Sequence, residues 1–368
     1  MSHKYVLLKE VCEKASSNIA QKDLAECDGI YPIYGASGYI KSVDFFQQAK
    51  DYIAIVKDGA GIGRAIKLPA KSSVIGTMQY VLPKDNINIS YLYYAICSMH
   101  LEKYFSGATI PHIYFRDYQN EQLPLPTLEE QAKIANVFGR IDYFIKKEKE
   151  QLINLDKLVK SRFIEMFGDP LKNERHWEID TLENLVTDDC SISYGIVQTG
   201  EPQENGIPVF RPVDIVGHNP TIEELKKTTV SISNKYRRTI LTGRDLLITV
   251  RANIADTFIA NKEFKGCNVG RGIVPLLVNE NVIKLEFLKA MIDFDSINQY
   301  IKSKAKGITL IQLNMVDLRL IPFILPPVEL QIEFIKFLQQ VDKSKLAIQQ
   351  SLDELETLKK SLMQQYFG

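Results

Sequence analysis

The sequence predicts an α/β (α+β) fold in which two pseudo-symmetric globular domains are separated by two long antiparallel helices forming a coiled-coil spacer. The main observation is an internal repeat. Residues 123–168 align without a gap with residues 323–368, 200 positions later, and 12 of the 46 positions are identical. A repeat this long indicates a duplicated half-molecule rather than a solenoid. The predicted blocks are 1–128, 129–168, 169–328 and 329–368.

The repeated segments predict two long helices. In the first copy, apolar residues recur at the alternating spacing of three and four that is typical of a coiled-coil seam, at Ile134, Phe138, Ile141, Ile145, Leu152, Leu155 and Val159. Pro126 precedes this helix and Gly168 ends it. A helix over 129–167 would be about 58 Å long, and its apolar stripe needs a partner. Twofold pseudosymmetry makes the second copy that partner and requires it to run antiparallel.

The segments before the two copies contain short elements in a similar order. Strand-like runs are Tyr52–Val56, Ser73–Leu82, Leu246–Val250 and Ile273–Val278. Helix-like runs are Ile89–His100 and Leu285–Ile292. Between these landmarks the two halves diverge, which is expected if both globules perform the same task on different targets.

Composition limits the class of protein. The chain has 368 residues, 45 basic and 45 acidic, so its formal net charge is zero. No apolar run approaches the roughly 18 residues of a membrane helix, and we expect no membrane association. The five cysteines are scattered without CxxC spacing, which is typical of reduced thiols in a cytosolic protein. The histidines show no metal-ligand spacing.

One glycine-rich segment invites a cofactor interpretation. Residues Asp58–Gly63 follow a predicted strand and resemble the turn of a nucleotide or S-adenosylmethionine site. Such a site needs a helix directly after the glycines, so that its N–H groups face the ligand. Here the extended run Arg64–Pro69 follows instead, and a hairpin is the better prediction. Other catalytic patterns (HExxH, GxSxG and the P-loop lysine) are missing from the sequence.

Basic residues are concentrated in particular stretches despite the neutral total. Lys226–Arg271 contains ten basic and three acidic residues, and Lys50–Lys71 contains five and two. Such stretches predict basic surfaces, for which a merely solvated face is the alternative. The loops within and beside them are candidates for binding nucleic acid.

The side-chain chemistry of these loops suggests individual DNA contacts. Arg suits guanine, Gln suits adenine and Lys suits phosphate. Candidate base-contacting residues are Arg64, Arg211, Arg251, Arg271 and Gln312. Candidate phosphate contacts are Lys57, Lys302, Lys304 and Lys306. Further DNA-binding candidates in the same loops are Lys67, Thr109, His112 and Arg116, and His112 is also a candidate structural histidine.

The motif at the end of each globule carries a family resemblance. Leu123-Pro124-Leu125-Pro126-Thr127-Leu128-Glu129-Glu130-Gln131 opens the first long helix, and Leu325-Pro326-Pro327-Val328-Glu329-Leu330-Gln331 opens the second. With the repeated order of globule and helix, the whole chain resembles the DNA specificity subunit of type I restriction–modification systems.

The resemblance implies a non-catalytic DNA-recognition role. Residues 1–128 and 169–328 would be target recognition domains, each reading one half of a bipartite, asymmetric site in double-stranded DNA. Residues 129–168 and 329–368 would be spacer helices that bind two modification methyltransferase subunits, which restriction subunits with translocase and nuclease activity join. S-adenosylmethionine, ATP and Mg²⁺ would belong to those partners, and the complex would be cytoplasmic in a prokaryote. Because the chain is neutral, we expect it to bind DNA weakly by itself.

Three alternatives remain open from the sequence. The chain could serve a related system whose methyltransferase and nuclease are fused in one chain. It could be an S-adenosylmethionine-binding enzyme that uses Asp58–Gly63. It could also be a coiled-coil adaptor that binds only proteins, although the paired basic loops would then have no role.

Overall fold

The computed structural model describes residues 4–107, 111–201, 203–215, 220–307 and 311–368. The chain forms two compact units. Unit 1 comprises residues 1–151 and 347–368, and unit 2 comprises residues 152–346. Each unit therefore contains one globule together with part of each long helix.

Unit 1 is a mixed α/β structure, with nine strands among its described residues. They are β1 (Tyr5–Leu7), β2 (Cys12–Ser16), β3 (Tyr31–Gly35), β4 (Gly38–Val43), β5 (Tyr52–Val56), β6 (Ala65–Leu68), β7 (Ser73–Val74), β8 (Met78–Pro83) and β9 (Gln122–Pro124). Its helices are α1 (Leu8–Val11), α2 (Ile89–Ser98), α3 (Phe115–Tyr118) and the first part of α4 (Leu128–Phe167). An antiparallel sheet has the order β2-β8-β5-β6, a second sheet has the order β4-β3-β7, and β1 pairs with β9.

Unit 2 repeats this plan, with eight strands in the part of it that the structure describes. They are β10 (Glu178–Thr181), β11 (Ile207–Phe210), β12 (Lys226–Thr228), β13 (Asp245–Thr249), β14 (Thr257–Ala260), β15 (Asn268–Val269), β16 (Ile273–Leu276) and β17 (Pro322–Leu325). Its helices are α5 (Pro212–Ile215), α6 (Val230–Lys235), α7 (Leu285–Asp293), α8 (Asp295–Ser303), α9 (Met315–Arg319) and the first part of α10 (Val328–Phe367).

The sheets of the two units correspond strand by strand. The sheet β14-β13-β16 matches β6-β5-β8, and β12-β11-β15 matches β4-β3-β7, including a parallel pair in each second sheet. The pair β10-β17 matches β1-β9. An isolated bridge between Val186 and Val278 occupies the place of β2. The duplication predicted from the repeated segments 123–168 and 323–368 therefore extends through both globules.

The two long helices pair antiparallel within each unit. In unit 1, Lys359 Nζ lies 2.6 Å from Asp142 Oδ1, and Lys149 Nζ lies 3.0 Å from Glu356 Oε1. In unit 2, Lys345 Nζ lies 2.5 Å from Asp156 Oδ1, and Arg162 Nη2 lies 2.9 Å from Glu333 Oε1. In both units the residue number falls along α10 as it rises along α4. The predicted α/β fold class with long antiparallel helices is confirmed.

Aromatic side chains attach the helices to each globule. In unit 1 the buried Tyr91 of α2 packs on Phe367 at a centroid distance of 5.2 Å. In unit 2 Phe287 of α7 packs on Phe167 at 4.9 Å. The matching ends of the repeat, Phe167 and Phe367, thus pack at equivalent positions, Phe167 fully buried and Phe367 half-buried. Burial of these rings contributes to stability through apolar area and through edge or tilted ring contacts.

The repeated glutamine has the same buried role in both copies. Gln131 Oε1 accepts a hydrogen bond of 2.7 Å from the N–H of Asn88, and its Nε2 donates to the carbonyl of Pro126 at 2.9 Å. Gln331 does the same with the N–H of Lys284 at 2.8 Å and the carbonyl of Pro326 at 2.8 Å. Both side chains are fully buried. Each therefore ties the start of a long helix to the start of the helix packed on it.

One sequence prediction was wrong. The run Ser73–Leu82 was expected to form one strand, but it contributes β7 and β8 to different sheets. The N–H of Ile75 donates to the carbonyl of Tyr34, and the N–H of Met78 donates to the carbonyl of Ile75, so the chain turns between the strands. Both strands are buried and lie within one mostly apolar run of sequence. Hydrophobic periodicity does not distinguish two short buried strands from one longer strand.

The segment after β5 is a hairpin, as predicted. β5 and β6 pair antiparallel, with Ile55 opposite Ala65 and Tyr52 opposite Leu68. Within the described residues, no helix is long and apolar enough to cross a membrane.

Candidate nucleic-acid interface

In unit 1, two loops are joined at the end of β5. They are residues 57–63 and residues 106–113, of which 108–110 lie outside the described residues. Ile113 N–H donates to the carbonyl of Lys57 at 2.9 Å, and Gly59 N–H donates to the carbonyl of Pro111 at 3.0 Å. Ser106 and His112 exchange two backbone hydrogen bonds, each 2.8 Å long. These backbone bonds fix one loop against the other.

Unit 2 has the same arrangement at the end of β13. Leu313 N–H donates to the carbonyl of Val250 at 2.9 Å, and Lys306 and Gln312 exchange two backbone bonds of 2.9 and 3.0 Å. Arg251 and Gln312 form a β-bridge, as Asp58 and His112 do in unit 1. Arg251 thus corresponds to Asp58, and Gln312 corresponds to His112. We call residues 57–63 and 106–113 of unit 1, and residues 250–256 and 306–313 of unit 2, the paired loops. Residues 308–310 also lie outside the described residues.

The corresponding side chains also contact each other. Asp58 Oδ1 lies 2.6 Å from His112 Nδ1, and these side chains are 27% and 37% exposed. Arg251 Nη2 donates to Gln312 Oε1 at 2.5 Å, and both residues are half-buried. In each pair the two side chains therefore hold each other in place and remain accessible to solvent.

Backbone hydrogen bonds in unit 2 bring together the segments that carry three of the predicted arginines. Gly270 N–H donates to the carbonyl of Phe210 at 2.8 Å, which places the segments leading into Arg211 and Arg271 side by side. Val250 N–H donates to the carbonyl of Gly272 at 2.8 Å, which adds Arg251 to the group. Sequence separations of 20 to 60 residues concealed this cluster.

Arg211 has an internal structural role. Its Nε and Nη2 lie 3.0 and 2.5 Å from the two carboxylate oxygens of Asp214, whose side chain is only 9% exposed. The backbone N–H of Arg211 also donates to Asp214. Because the guanidinium neutralises a buried carboxylate, much of its hydrogen-bonding capacity is already used.

The other predicted contacts lie in varied surroundings. Among the cations of unit 1, Lys57 lies 3.8 Å from Asp58, Lys67 donates to Ser90 at 2.9 Å, Arg64 donates to the carbonyl of Ala36, and Arg116 lies over the Tyr114 ring at 4.8 Å. In unit 2, Lys306 lies 3.2 Å from Asp317, Lys304 lies 4.7 Å from the centre of the Tyr300 ring, and Arg271 and Lys302 are exposed. Burial raises the pKa of Asp256, an effect that the charge of Lys302 opposes. The candidate Thr109 lies outside the described residues.

A basic cleft in unit 2 was missed by sequence reasoning. It has a volume of about 480 Å³ and is lined by Ser193, Tyr194 and residues 234–239. Lys235, Arg237 and Arg238 are exposed here, and within the described part of the chain none of them forms a salt bridge. The stretch Lys226–Arg271 was identified as basic, but its sequence did not show which cations lack a carboxylate partner.

The glycine-rich loop does not fit a cofactor site. Gly59 and Gly63 already donate their N–H groups to the carbonyls of Pro111 and Val56, and a β-strand follows the loop. The phosphate of a nucleotide, or the carboxylate of S-adenosylmethionine, would bind to free N–H groups at the start of a helix. Among the described residues, no group of three His, Cys, Asp or Glu side chains could hold a metal ion.

Comparison with known proteins identifies the family. Residues 3–156 and 196–357 both match the family described as the type I restriction modification DNA specificity domain. The chain belongs to this family. The two matches contain the paired loops of unit 1 and of unit 2, respectively. The predicted block boundaries stay a prediction.

Individual relatives are specificity subunits. The chain is 22% identical over 289 residues to the specificity subunit of the Escherichia coli type I restriction enzyme EcoBI, covering 71% of this chain and 61% of that protein. It is 27% identical over 218 residues to the MjaVIII specificity subunit of Methanocaldococcus jannaschii, covering 55% of this chain and 50% of that protein. The chain thus spans between half and about three fifths of the length of these relatives.

Solved structures support the fold. The S subunit of a type I restriction–modification system from M. genitalium matches with a TM-score of 0.63 and 16% identity, covering 100% of this chain and 96% of that chain. A chain from work on complex assembly and conformational transition of a type I system matches with a TM-score of 0.59 and 18% identity, covering 99% and 97%. At these identities the likeness concerns the fold.

Proposed function

We propose that this chain is the DNA-specificity subunit of a type I restriction–modification complex. In this proposal each globule reads one half of a bipartite, asymmetric site in double-stranded DNA. The observation that carries it is the tandem match to the specificity domain, in which both copies present the same paired loops with different side chains. Equivalent scaffolds with different contact groups are suited to reading different sequences.

The charges of unit 2 support binding to a DNA backbone. Positive side chains contribute most to phosphate binding when no nearby carboxylate already neutralises them. Among the residues that the structure describes, Arg237 and Arg238 form no salt bridge, whereas Arg211 is paired with Asp214 and Lys306 with Asp317. We assign phosphate contacts to the basic cleft and direct base contacts to the paired loops.

The proposal assigns chemistry to partner subunits. Two modification methyltransferase subunits would bind the long helices, and restriction subunits would join this complex in the prokaryotic cytoplasm. S-adenosylmethionine, ATP and Mg²⁺ would be bound by those subunits, and the N–H groups of Gly59 and Gly63 in the glycine-rich loop of this chain are bonded internally. The chain itself would supply recognition rather than catalysis.

Adenine methylation in cells tests this function. The chain is expressed with the methyltransferase encoded beside it in a host lacking related systems, and methylated bases are located by single-molecule sequencing. We expect one bipartite, asymmetric motif that disappears when this chain is omitted. A methyltransferase with an inactivated active site is the control for background. Methylation that persists unchanged without this chain would contradict the proposal and favour a protein-binding adaptor.

A further inference from the structure

The paired loops place different hydrogen-bonding groups at one equivalent position of the two units. The equivalence rests on backbone hydrogen bonds. The bond from the N–H of Ile113 to the carbonyl of Lys57 corresponds to the bond from the N–H of Leu313 to the carbonyl of Val250. The β-bridge between Asp58 and His112 likewise corresponds to that between Arg251 and Gln312. The scaffold is therefore kept while the side chains are exchanged.

The pair in unit 1 mainly accepts hydrogen bonds. Asp58 Oδ1 lies 2.6 Å from His112 Nδ1, and the oxygens of an ionised carboxylate only accept hydrogen bonds. The second carboxylate oxygen lies 3.8 Å from Lys57 Nζ, beyond hydrogen-bond distance. This position thus offers acceptor groups in a half-buried setting.

The pair in unit 2 mainly donates hydrogen bonds. Gln312 uses its carbonyl oxygen to accept from Arg251 Nη2, which leaves its NH₂ group free to donate. The guanidinium of Arg251 has further N–H groups and no acceptor. Val250 replaces Lys57 at the preceding position, so the charge beside the pair also differs.

We infer that each pair reads one base in its half-site, with Asp58 and His112 selecting an exocyclic amino group and Arg251 and Gln312 selecting guanine. This inference rests on the proposed function. In the major groove, cytosine N4 and adenine N6 present amino donors, whereas guanine presents the acceptors O6 and N7. A carboxylate facing O6 or the O4 of thymine would leave two acceptors opposed, and an arginine facing an amino group would oppose two donors. Each such mismatch leaves a desolvated group unpaired.

Exchanging the pairs provides the test. The double substitution Asp58→Arg with His112→Gln installs the unit 2 pair in unit 1, and Arg251→Asp with Gln312→His does the reverse. Each variant is expressed with the full complex, and the methylated motif is read by single-molecule sequencing. We expect one position of one half-site to change, from cytosine or adenine to guanine in the first exchange and from guanine to cytosine or adenine in the second. The base that replaces guanine distinguishes the two amino donors.

Single substitutions give a readout if an exchanged chain fails to fold. Asp58→Asn keeps the size of the side chain but turns one acceptor into a donor, and Arg251→Lys keeps the charge but removes the planar fork. We expect each to lower discrimination at one position of its own half-site by about tenfold or more. Lys262→Gln, an exposed charge outside the paired loops, is the control and should leave the motif unchanged.

The outcomes separate the inference from the function on which it rests. If the unaltered chain directs no motif, the proposed function fails. If it directs a motif that stays the same, with the same discrimination, in Asp58→Asn and Arg251→Lys, the inference is wrong and the pairs only join the loops. If every position of a half-site relaxes together, the pairs position the loops, and direct reading by these side chains is excluded.

Discussion

At the scale of the residue, a cation's role depends on the partner it finds in the fold. Arg237 lies in the basic stretch Lys226–Arg271, and Arg211 lies before it in the chain. Arg211 bonds to the buried Asp214, whereas Arg237 is exposed in the basic cleft. Sequence identified the chemistry of both residues. Asp214 lies only three positions after Arg211, so this local pairing was available from the sequence and was missed. The exposure of Arg237 in the cleft depends on tertiary structure.

Substituting Arg211 should therefore affect stability first. We expect Arg211→Ala to lower the free energy of unfolding by about 1–3 kcal/mol, because it leaves the Asp214 carboxylate with a buried, unpaired charge. The matched change Arg237→Ala should stay within about 0.5 kcal/mol, as is usual for exposed side chains. Urea unfolding monitored by circular dichroism measures both values. Equal losses in the two variants would contradict the structural role of Arg211.

The basic cleft should instead affect DNA affinity. We expect Arg237→Gln with Arg238→Gln to weaken binding of the reconstituted methyltransferase complex to all DNA sequences. The slope of log affinity against log salt should become shallower by about 0.9 for each lost phosphate contact. Fluorescence anisotropy at several salt concentrations measures both effects.

The control for the cleft removes the same amount of charge elsewhere in unit 2. Lys262→Gln with Lys265→Gln changes two exposed cations outside the cleft. We expect a smaller effect on both affinity and salt slope. If the control lowers both as much as the cleft variant does, the assignment of phosphate contacts to the cleft is wrong.

At the scale of the element, the long helices were the easiest to predict and the short strands the hardest. The heptad-like pattern, Pro126 and Gly168 predicted helix 129–167, and α4 is Leu128–Phe167. The run Ser73–Leu82 was instead divided between two sheets, since backbone bonds at Ile75 and Met78 turn the chain. Long periodic patterns specify a helix locally, whereas strand pairing depends on distant segments.

Two glycines show how the same residue serves different elements. Gly63 has a φ of 81°, and an added Cβ would lie 2.5 Å from the backbone nitrogen of Glu102. Gly139 lies inside α4, where an added Cβ meets no described heavy atom within 4 Å. We expect Gly63→Ala to destabilise unit 1 by more than about 1 kcal/mol, whereas Gly139→Ala should stabilise the chain by about 0.5–1 kcal/mol. Thermal unfolding compares them, and a stabilising Gly63→Ala would contradict the described loop.

The buried glutamines connect helix and globule. We expect Gln131→Ala to reduce stability by about 2–4 kcal/mol, because the N–H of Asn88 and the carbonyl of Pro126 both lose a buried partner. Gln151→Ala, an exposed change on the same helix, is the control and should have little effect. Denaturant unfolding of the two variants provides the comparison. A small loss at Gln131 would mean that water replaces its hydrogen bonds.

At the scale of the whole molecule, the duplication was readable and its chemical consequences were not. The repeated segments 123–168 and 323–368 share Leu125/Leu325, Pro126/Pro326 and Gln131/Gln331, and these matches predicted two related units. The order of the strands aligned Asp58 with Arg251, but the contacts of Asp58 with His112 and of Arg251 with Gln312 could not be predicted, since these partners are 54 and 61 residues apart. Conserved packing preserves the sequence signal of the repeat, whereas surface recognition groups are free to differ.

The central claim is that each globule reads its own half of one DNA site. Replacing residues 1–128 with the corresponding domain of another member of the family, and then sequencing the methylated adenines made by the full complex, tests it most directly. The account predicts that one half of the bipartite motif changes to that of the donor protein while the other half stays the same. A motif in which both halves change, or in which neither does, would contradict the assignment of one half-site to each globule.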